Sequence, residues 1–331
     1  MNTKQSTNYQ SIRRGIPYRS RLPTVIKRKY PIKPPPPRPL PPPPPSFNFR
    51  VLLIGNNYCG TSSELAGCVT DIATAKAFFT ANVKTPYKLQ FFELSDSRSL
   101  TDRNKIVYGS QGSGTRANIL KGIQWLLAGV KSGDVLYLHY SGHGSAQRTT
   151  DLGEADQIDS TWVPIDYKKA GVIVDNDLRK LLVNNVPVGV TLWVTSDSCH
   201  SGTVLDLRFG YLDVSFKRIH GDEVDNHERA VVTSTSMSED TYYSVTKGNI
   251  FLISGCKDLQ TSADTYEDGK NQGALTWALF TVLNTNKTAP LKYVIRDVRA
   301  MLLLNRYNQQ PQLSSGQACN LDASFSSIVK C

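Results

Sequence analysis

Two short turns in this 331-residue chain carry side chains able to act together as nucleophile and base: Tyr140-Ser141-Gly142-His143-Gly144 and Asp197-Ser198-Cys199-His200-Ser201-Gly202. Each follows an apolar run, Val135 to Tyr140 (VLYLHY) and Val190 to Thr195 (VTLWVT), of the kind that forms a buried strand. In a parallel α/β sheet ligand sites gather at the carboxyl ends of strands, which is where both turns fall. An imidazole placed there takes the proton of a neighbouring thiol, and the thiolate attacks a carbonyl carbon. Gly144 leaves its backbone N–H unobstructed, so that N–H and the N–H of Cys199 are candidates for stabilising the oxyanion. A lone Cys or His is more often a core or surface residue. What marks His143 and Cys199 is that both sit in glycine-flanked turns after apolar strands. His200 is a rival base, but being adjacent to Cys199 its side chain should diverge from it; His139, His220 and His227 have no comparable setting.

Other elements must position these turns. Arg50 to Gly55 (RVLLIG) reads as a buried first strand, Leu65 to Thr80 spaces its apolar residues as a helix does, and Lys88 to Leu94 returns to strand composition. Residues 116 to 130 form an amphipathic helix by three-and-four spacing. Downstream, Ala230 to Thr235 and Ile250 to Ser254 read as strands, and Ala274 to Val282 and Val294 to Leu304 as helices. Continuously apolar runs alternating with helices imply an α/β fold with a mostly parallel central sheet flanked by helices on both faces. The polar, charged stretch from Asp206 to Glu228 has no clear period and reads as an exposed connection between two halves of one domain.

Residues 1 to 47 are of another kind. They hold thirteen of the eighteen prolines, which favour extended polyproline II over a packed core, and ten Lys or Arg with no acid. The remainder carries 28 basic and 28 acidic side chains, so the whole net charge of +10 belongs to this leader. Charge alone would let it hold an acidic partner, but no aromatic interleaving points to specific nucleic-acid binding. The run Pro34 to Pro45 is of the type that SH3 and WW modules bind. The six cysteines lack metal-type pairing and suggest neither a disulfide scaffold nor a zinc site. With no apolar leader segment and no membrane-spanning run, a soluble cytoplasmic protein with reduced thiols is expected.

The two turns, YSGHG and DSCHSG, resemble the paired His and Cys motifs of metacaspases, peptidases of caspase-like fold in clan CD. The likeness extends over Leu65-Ala66-Gly67-Cys68-Val69-Thr70-Asp71, the acidic loop Asp156 to Asp166, Ile253 to Asp258 with Gln260 to Asp264, Gly273 to Thr276, and Pro311 to Ser314. It runs from about residue 50 to 315, and the proline-rich leader and short connection resemble type I. The division implied is a prodomain at 1–47 and a peptidase domain at 48–331, made of a large region (48–205), a connection (206–229) and a small region (230–331).

The resemblance implies an endopeptidase that hydrolyses peptide bonds through an acyl-enzyme on Cys199, processes itself, and acts as a monomer. A caspase needs a basic pocket for aspartate, yet no QACRG occurs here, and Asp197 stands two residues before the nucleophile. By resemblance Asp197 and Asp71, with Ser141 and Cys68, form an acidic S1 pocket for Arg or Lys, held by charge-assisted hydrogen bonds. The resemblance also gathers Asp159, Asp175 and Asp206 into an activating calcium site, a cation that wants six to eight oxygens. Asn176 stands where metacaspases usually have a second aspartate, so one negative charge is missing there. The rival readings are a non-catalytic scaffold recruiting partners through the leader, and a legumain-like peptidase whose secretory context is missing here.

Overall fold

Along Phe47–Asn56 successive side chains go to opposite sides of the backbone. Phe49, Val51 and Leu53 join one buried cluster, Leu52 and Ile54 another. A strand apolar on both sides needs cover on both sides, and the chain supplies it with helices. The computed structural model of the protein describes residues 46–148, 158–199, 201–211, 216–219, 229–232, 237–255, 264–267 and 269–326.

In chain order the elements are β1 (Phe47–Asn56), α1 (Cys68–Asn82), β2 (Tyr87–Arg98), β3 (Ile106–Tyr108), α2 (Arg116–Leu127), β4 (Val135–Ser141), β5 (Gly144–Arg148), β6 (Ile158–Trp162), α3 (Tyr167–Ala170), β7 (Ile173–Val174), α4 (Asp175–Leu181) and β8 (Thr191–Asp197). There follow β9 (Phe209–Tyr211), β10 (Phe216–Ile219), β11 (Arg229–Val232), β12 (Ser238–Glu239), β13 (Asn249–Ser254), β14 (Asp264–Glu267), β15 (Lys270–Gly273), α5 (Ala274–Thr285), α6 (Leu291–Leu304) and β16 (Gln312–Ser315). Among the described residues nine strands form the main sheet, in the order β12-β9-β16-β13-β8-β4-β1-β2-β3. Its centre, from β2 to β13, is parallel, and the antiparallel pairs lie toward the two edges. The expected α/β architecture is thus present, with a mixed sheet in which four neighbouring pairs are parallel and four antiparallel, the parallel ones at its centre.

Helices α1, α5 and α6 bury Ile72, Phe78, Phe79, Leu279 and Val298 against one face, with Tyr137 and Trp193 from the sheet. Helices α2 and α4 bury Ile119, Ile123, Leu126 and Leu178 against the other, with Leu138, Leu192 and Val194. Among the described residues no helix is long and apolar enough to cross a membrane.

One expectation is corrected. The stretch from residue 206 is not exposed at its start, because Asp206, Phe209 and Tyr211 are buried and β9 joins the main sheet beside β16. Phe209 and Tyr211 flank a glycine, so both apolar rings reach the same core from a strand too short to show a period among charged neighbours. Further on, β10 pairs with β11 alone in a separate two-stranded ribbon.

At the carboxyl end of β1, a Cβ on Gly55 would lie 2.6 Å from the Cys68 carbonyl oxygen and 3.0 Å from Cδ1 of Ile72. Only glycine lets the first turn of α1 come this close to the strand. Gly55→Ala should therefore cost about 1–3 kcal/mol, read as a lower urea midpoint; an unchanged midpoint would contradict the close packing described.

Candidate functional site

Parallel pairing of β4 with β8 sets Ser141 opposite Asp197, and β1 pairs on the other side of β4 with Gly55 opposite Ser141. Three strand ends therefore finish at one level. His143 lies two residues beyond Ser141 and Cys199 two beyond Asp197, so equal counts of chain carry both to the same rim. The turns touch: the amide of Gly142 donates to the Asp197 carbonyl at 3.4 Å, and a Cβ on Gly144 would fall 2.0 Å from the Cys199 carbonyl oxygen. Both His143 and Cys199 are partly exposed, and Cys199 forms no disulfide with another described cysteine. Gly144, the other residue expected at an oxyanion site, is thus packed on Cys199.

The imidazole has a defined setting. Its Nε2 lies 2.8 Å from the backbone oxygen of Ser63. A carbonyl can only accept, so Nε2 carries the proton and Nδ1 presents the lone pair. The Tyr58 ring lies against the imidazole with centroids 4.6 Å apart, and the Tyr58 hydroxyl accepts the His143 amide at 2.8 Å. The Tyr140 hydroxyl donates to the His143 carbonyl at 2.7 Å. An imidazole held so, on a turn packed against the one that bears the Cys199 thiol, is of the type that transfers protons in acyl chemistry.

Below this rim lie the residues expected in an acidic pocket. Asp71, fully buried on the first turn of α1, accepts from Ser141 Oγ at 2.5 Å and from the Gly273 amide at 2.8 Å. Asp197, 5% exposed at the end of β8, accepts from the Thr276 amide at 2.9 Å and the Thr276 hydroxyl at 2.7 Å. A Cβ on Gly273 would meet Asp197 Oδ2 at 2.1 Å and Asp71 Oδ2 at 2.8 Å, so the two carboxylates converge on one point. The amino end of α5 begins there, and its amides and dipole favour negative charge. Cys68 is buried three residues before Asp71 on the same helix, its amide bonded to the Asn57 side chain at 3.1 Å.

The third expected group is also brought together in part. Burial, the charge of Asp206 and, more weakly, that of Asp159 push the Asp175 carboxyl up to about 8. Asp175 opens α4 and accepts amides from Ser160 at 2.5 Å and Asn176 at 2.8 Å. Oδ1 of Asp159 is buried with no hydrogen-bond partner. Asp206 adopts φ 49°, and the Arg179 guanidinium donates to its carbonyl. Asp177 turns away to pair with Arg116 at 3.1 Å. Among the described residues no three such side chains already surround one point as ligands, so the group is a set of mutually repelling carboxylates rather than a formed cage.

His200, His220, His227, the leader and Cys256 to Ala263 lie outside the described residues. His139 is described: it is fully buried, with Nδ1 3.3 Å from the Tyr137 hydroxyl and Nε2 3.3 Å from Thr276 Oγ1. Four residues of the site had no assigned part in the sequence reading: Tyr58, Ser63, Gly273 and Thr276. Ser63 acts through a backbone atom and leaves no side-chain signal. Tyr58 could have been noticed as an aromatic just past the carboxyl end of the first strand.

A model of the family described as metacaspase, peptidase C14 domain, matches residues 50–208. Metacaspase-1 of Mycosarcoma maydis is 33% identical over 302 residues, covering 83% of this chain and 72% of that protein. The chain belongs to the metacaspase family. Metacaspase-3 of Trypanosoma brucei brucei is 33% identical over 285 residues, covering 84% and 73% of the two chains. Metacaspase-1B of Aspergillus fumigatus is 32% identical, covering 83% and 71%. A crystal structure of a Geobacter sulfurreducens protein matches with a TM-score of 0.55 at 21% identity, covering 85% of this chain and 99% of that one, a likeness of fold alone. Metacaspases are cysteine peptidases, so the family implies cysteine-type peptidase activity for this caspase-like domain.

Burial alone holds the imidazole of His139 down to about 3, well below the ordinary value of 6.5. As pH falls below about 6.5 the unfolded chain takes up a proton there that the folded one refuses, so stability present above 6.5 is lost toward pH 3. The slope from this one group reaches at most about 1.4 kcal/mol per pH unit. Urea unfolding between pH 4.5 and 7 should show a smaller acid loss in His139→Gln than in wild type; equal slopes would contradict a neutral buried His139.

Proposed function

We propose that this metacaspase is a calcium-responsive endopeptidase that cleaves after Arg or Lys, with Cys199 as nucleophile and His143 as base. The observation that carries the reading is the abutment of the two turns: strand ends in register, Gly144 packed on the Cys199 carbonyl, and an imidazole whose Nε2 is engaged by Ser63 so that Nδ1 is the basic nitrogen. In the reaction Nδ1 takes the thiol proton, the thiolate adds to the scissile carbonyl, and the imidazolium returns the proton to the leaving amine. Water, deprotonated by the same nitrogen, then releases the acyl group from Cys199. The amides of Gly144 and Cys199 are the proposed oxyanion donors.

Specificity rests on the convergence of Asp71 and Asp197. Their oxygens are buried and already oriented by α5 and Ser141, so a guanidinium or ammonium entering there exchanges water for two fixed carboxylates. An aspartate side chain would meet repulsion instead.

The residues also fit calcium, since Asp159 has a buried oxygen without a hydrogen-bond partner and the Asp175 carboxyl is raised first by burial and then by the charge of Asp206 beside it. Asp159, Asp175 and Asp206 would hold the ion, with Asn176 contributing a neutral oxygen. When bound it would relieve their repulsion and order the loops they occupy. Self-processing is proposed at Lys217-Arg218 and at Lys29. The first lies on β10 opposite Val231 and Ala230, so the ribbon must open before that chain can enter the site. Action as a cytoplasmic monomer on protein substrates, with the leader free to meet proline-binding modules, completes the proposal.

Peptides ending in Arg, Lys or Asp test this. Cys199→Ala should abolish cleavage and His143→Ala nearly so, while His200→Ala keeps turnover; equal activity of Cys199→Ala and wild type would leave the scaffold reading. Asp71→Asn and Asp197→Asn keep an acceptor for α5 yet should lose about 2–5 kcal/mol of transition-state binding to Arg peptides. Preference for Asp would contradict the acidic pocket. In a calcium titration Asn176→Asp should lower the midpoint and Asp175→Ala raise or abolish it, and unchanged midpoints in both would remove these residues from a metal site.

A further inference from the structure

The loop between β1 and α1 is tied down at both ends of its first turn. Asp96, 3% exposed near the end of β2, accepts the Asn57 amide on one oxygen at 2.8 Å and the Cys59 amide on the other at 2.7 Å. The residue between those amides, Tyr58, has φ 53°, a left-handed conformation that a bulky side chain adopts only when its surroundings dictate it. Farther along, Glu64 accepts the Gly60 amide at 2.9 Å and takes the Arg98 guanidinium with both oxygens at 2.6 Å. The Leu65 amide closes the loop onto the Asn57 carbonyl at 2.8 Å.

This loop meets His143 at three points. The Tyr58 hydroxyl accepts the His143 amide at 2.8 Å while donating to the Val163 carbonyl at 2.6 Å. The Tyr58 ring lies 4.6 Å from the imidazole at 37° to its plane. The Ser63 carbonyl takes Nε2 at 2.8 Å. The amide, one ring face and the outer nitrogen of His143 thus all meet one short segment, which Asp96 holds from below, while Tyr140 and Val163 donate to its carbonyl.

We propose that Tyr58 is a positioning residue for His143, fixed in that role by the two amides that Asp96 accepts. The proposal rests on the reading of His143 as base and deepens it. The phenol hydroxyl bridges the His143 amide to the Val163 carbonyl, so it fixes the backbone from which the imidazole projects, and the ring closes one face of it. Removing the hydroxyl leaves the His143 amide without that acceptor and lets the ring rotate away from the Ser63 carbonyl. Nε2 then no longer has a single partner that selects its proton, and the fraction of imidazole with its lone pair toward the thiol falls.

The test uses the full chain with calcium, an Arg-terminated peptide, and long-range 1H–15N spectra of protein labelled with 15N-histidine. Tyr58→Phe, which keeps the ring, should lower kcat about 10- to 100-fold with KM within about twofold, and the His143 signal should pass from one Nε2–H tautomer to a mixture. Asp96→Asn leaves the phenol intact but faces one amide with a donor, and it should show the same split; if Tyr58→Phe does not fold, Asp96→Asn decides on the same readouts. His143→Ala is the reference. If His143→Ala is inactive while both variants keep wild-type kcat and a single Nε2–H signal, the positioning role is overturned and the base assignment stands. If His143→Ala turns over like wild type, the base assignment falls and the positioning role with it.

Discussion

The parallel register of β4 against β8 sets Ser141 level with Asp197, and the chemistry of the molecule is arranged around that pair. A shift of one residue would send Asp197 to the opposite face and carry Cys199 away from the turn that holds His143. The register is held by the core on both faces, with Tyr137 and Trp193 on one side and Leu138 and Val194 on the other. Packing energy spread over the whole sheet is thereby focused on the relative position of two turns. The glycines at 142 and 144 let those turns approach as side chains would not: a Cβ on either would collide with Tyr58, Tyr140 or Cys199.

Burying negative charge is the second constraint, and the protein meets it in two ways. Asp71 and Asp197 are stabilised by amides and hydroxyls at the start of α5, which costs no counter-ion and leaves the pair oriented. Asp175 is not so fully served: despite two amide donors, its burial and acidic neighbours leave it raised to about 8. The first arrangement suits a permanent feature, the second a place that gains from an added cation. In the proposed reading these are the substrate pocket and the calcium site. The Arg179 guanidinium donates to the Asp206 carbonyl and to the Ser244 carbonyl, lies over the Tyr243 ring and is attracted by the Asp206 charge.

Much of this was legible in the residues alone. Apolar runs leading into glycine-bearing turns spelled a parallel sheet centre with reactive strand ends, and the helix expected over Leu65 to Thr80 emerges as α1, which starts three residues later at Cys68 and runs two further to Asn82. The parts that escaped share a cause. β9 is three residues long, too short for a pattern, and its burial depends on β16, a strand a hundred residues away. Ser63 contributes a carbonyl, which every residue has. Thr276 and Gly273 matter because α5 begins beside α1 and β8, a proximity set by tertiary packing and not by local sequence. Conversely, the aspartates proposed to hold calcium were named from resemblance, and the charge of Asp206 and, more weakly, of Asp159 acting on the buried Asp175 is their first physical link.

The central claim is that the thiol of Cys199 is activated by the imidazole across the β4–β8 rim. The most direct measurement is covalent labelling with a peptidyl-Arg acyloxymethyl ketone, followed by mass spectrometry of the digested protein. In wild type the adduct should fall on Cys199 alone, and labelling should slow by about two orders of magnitude or more in His143→Ala. Adducts on Cys59, Cys68 or Cys319 at a comparable rate, or a rate at Cys199 indifferent to His143, would contradict it.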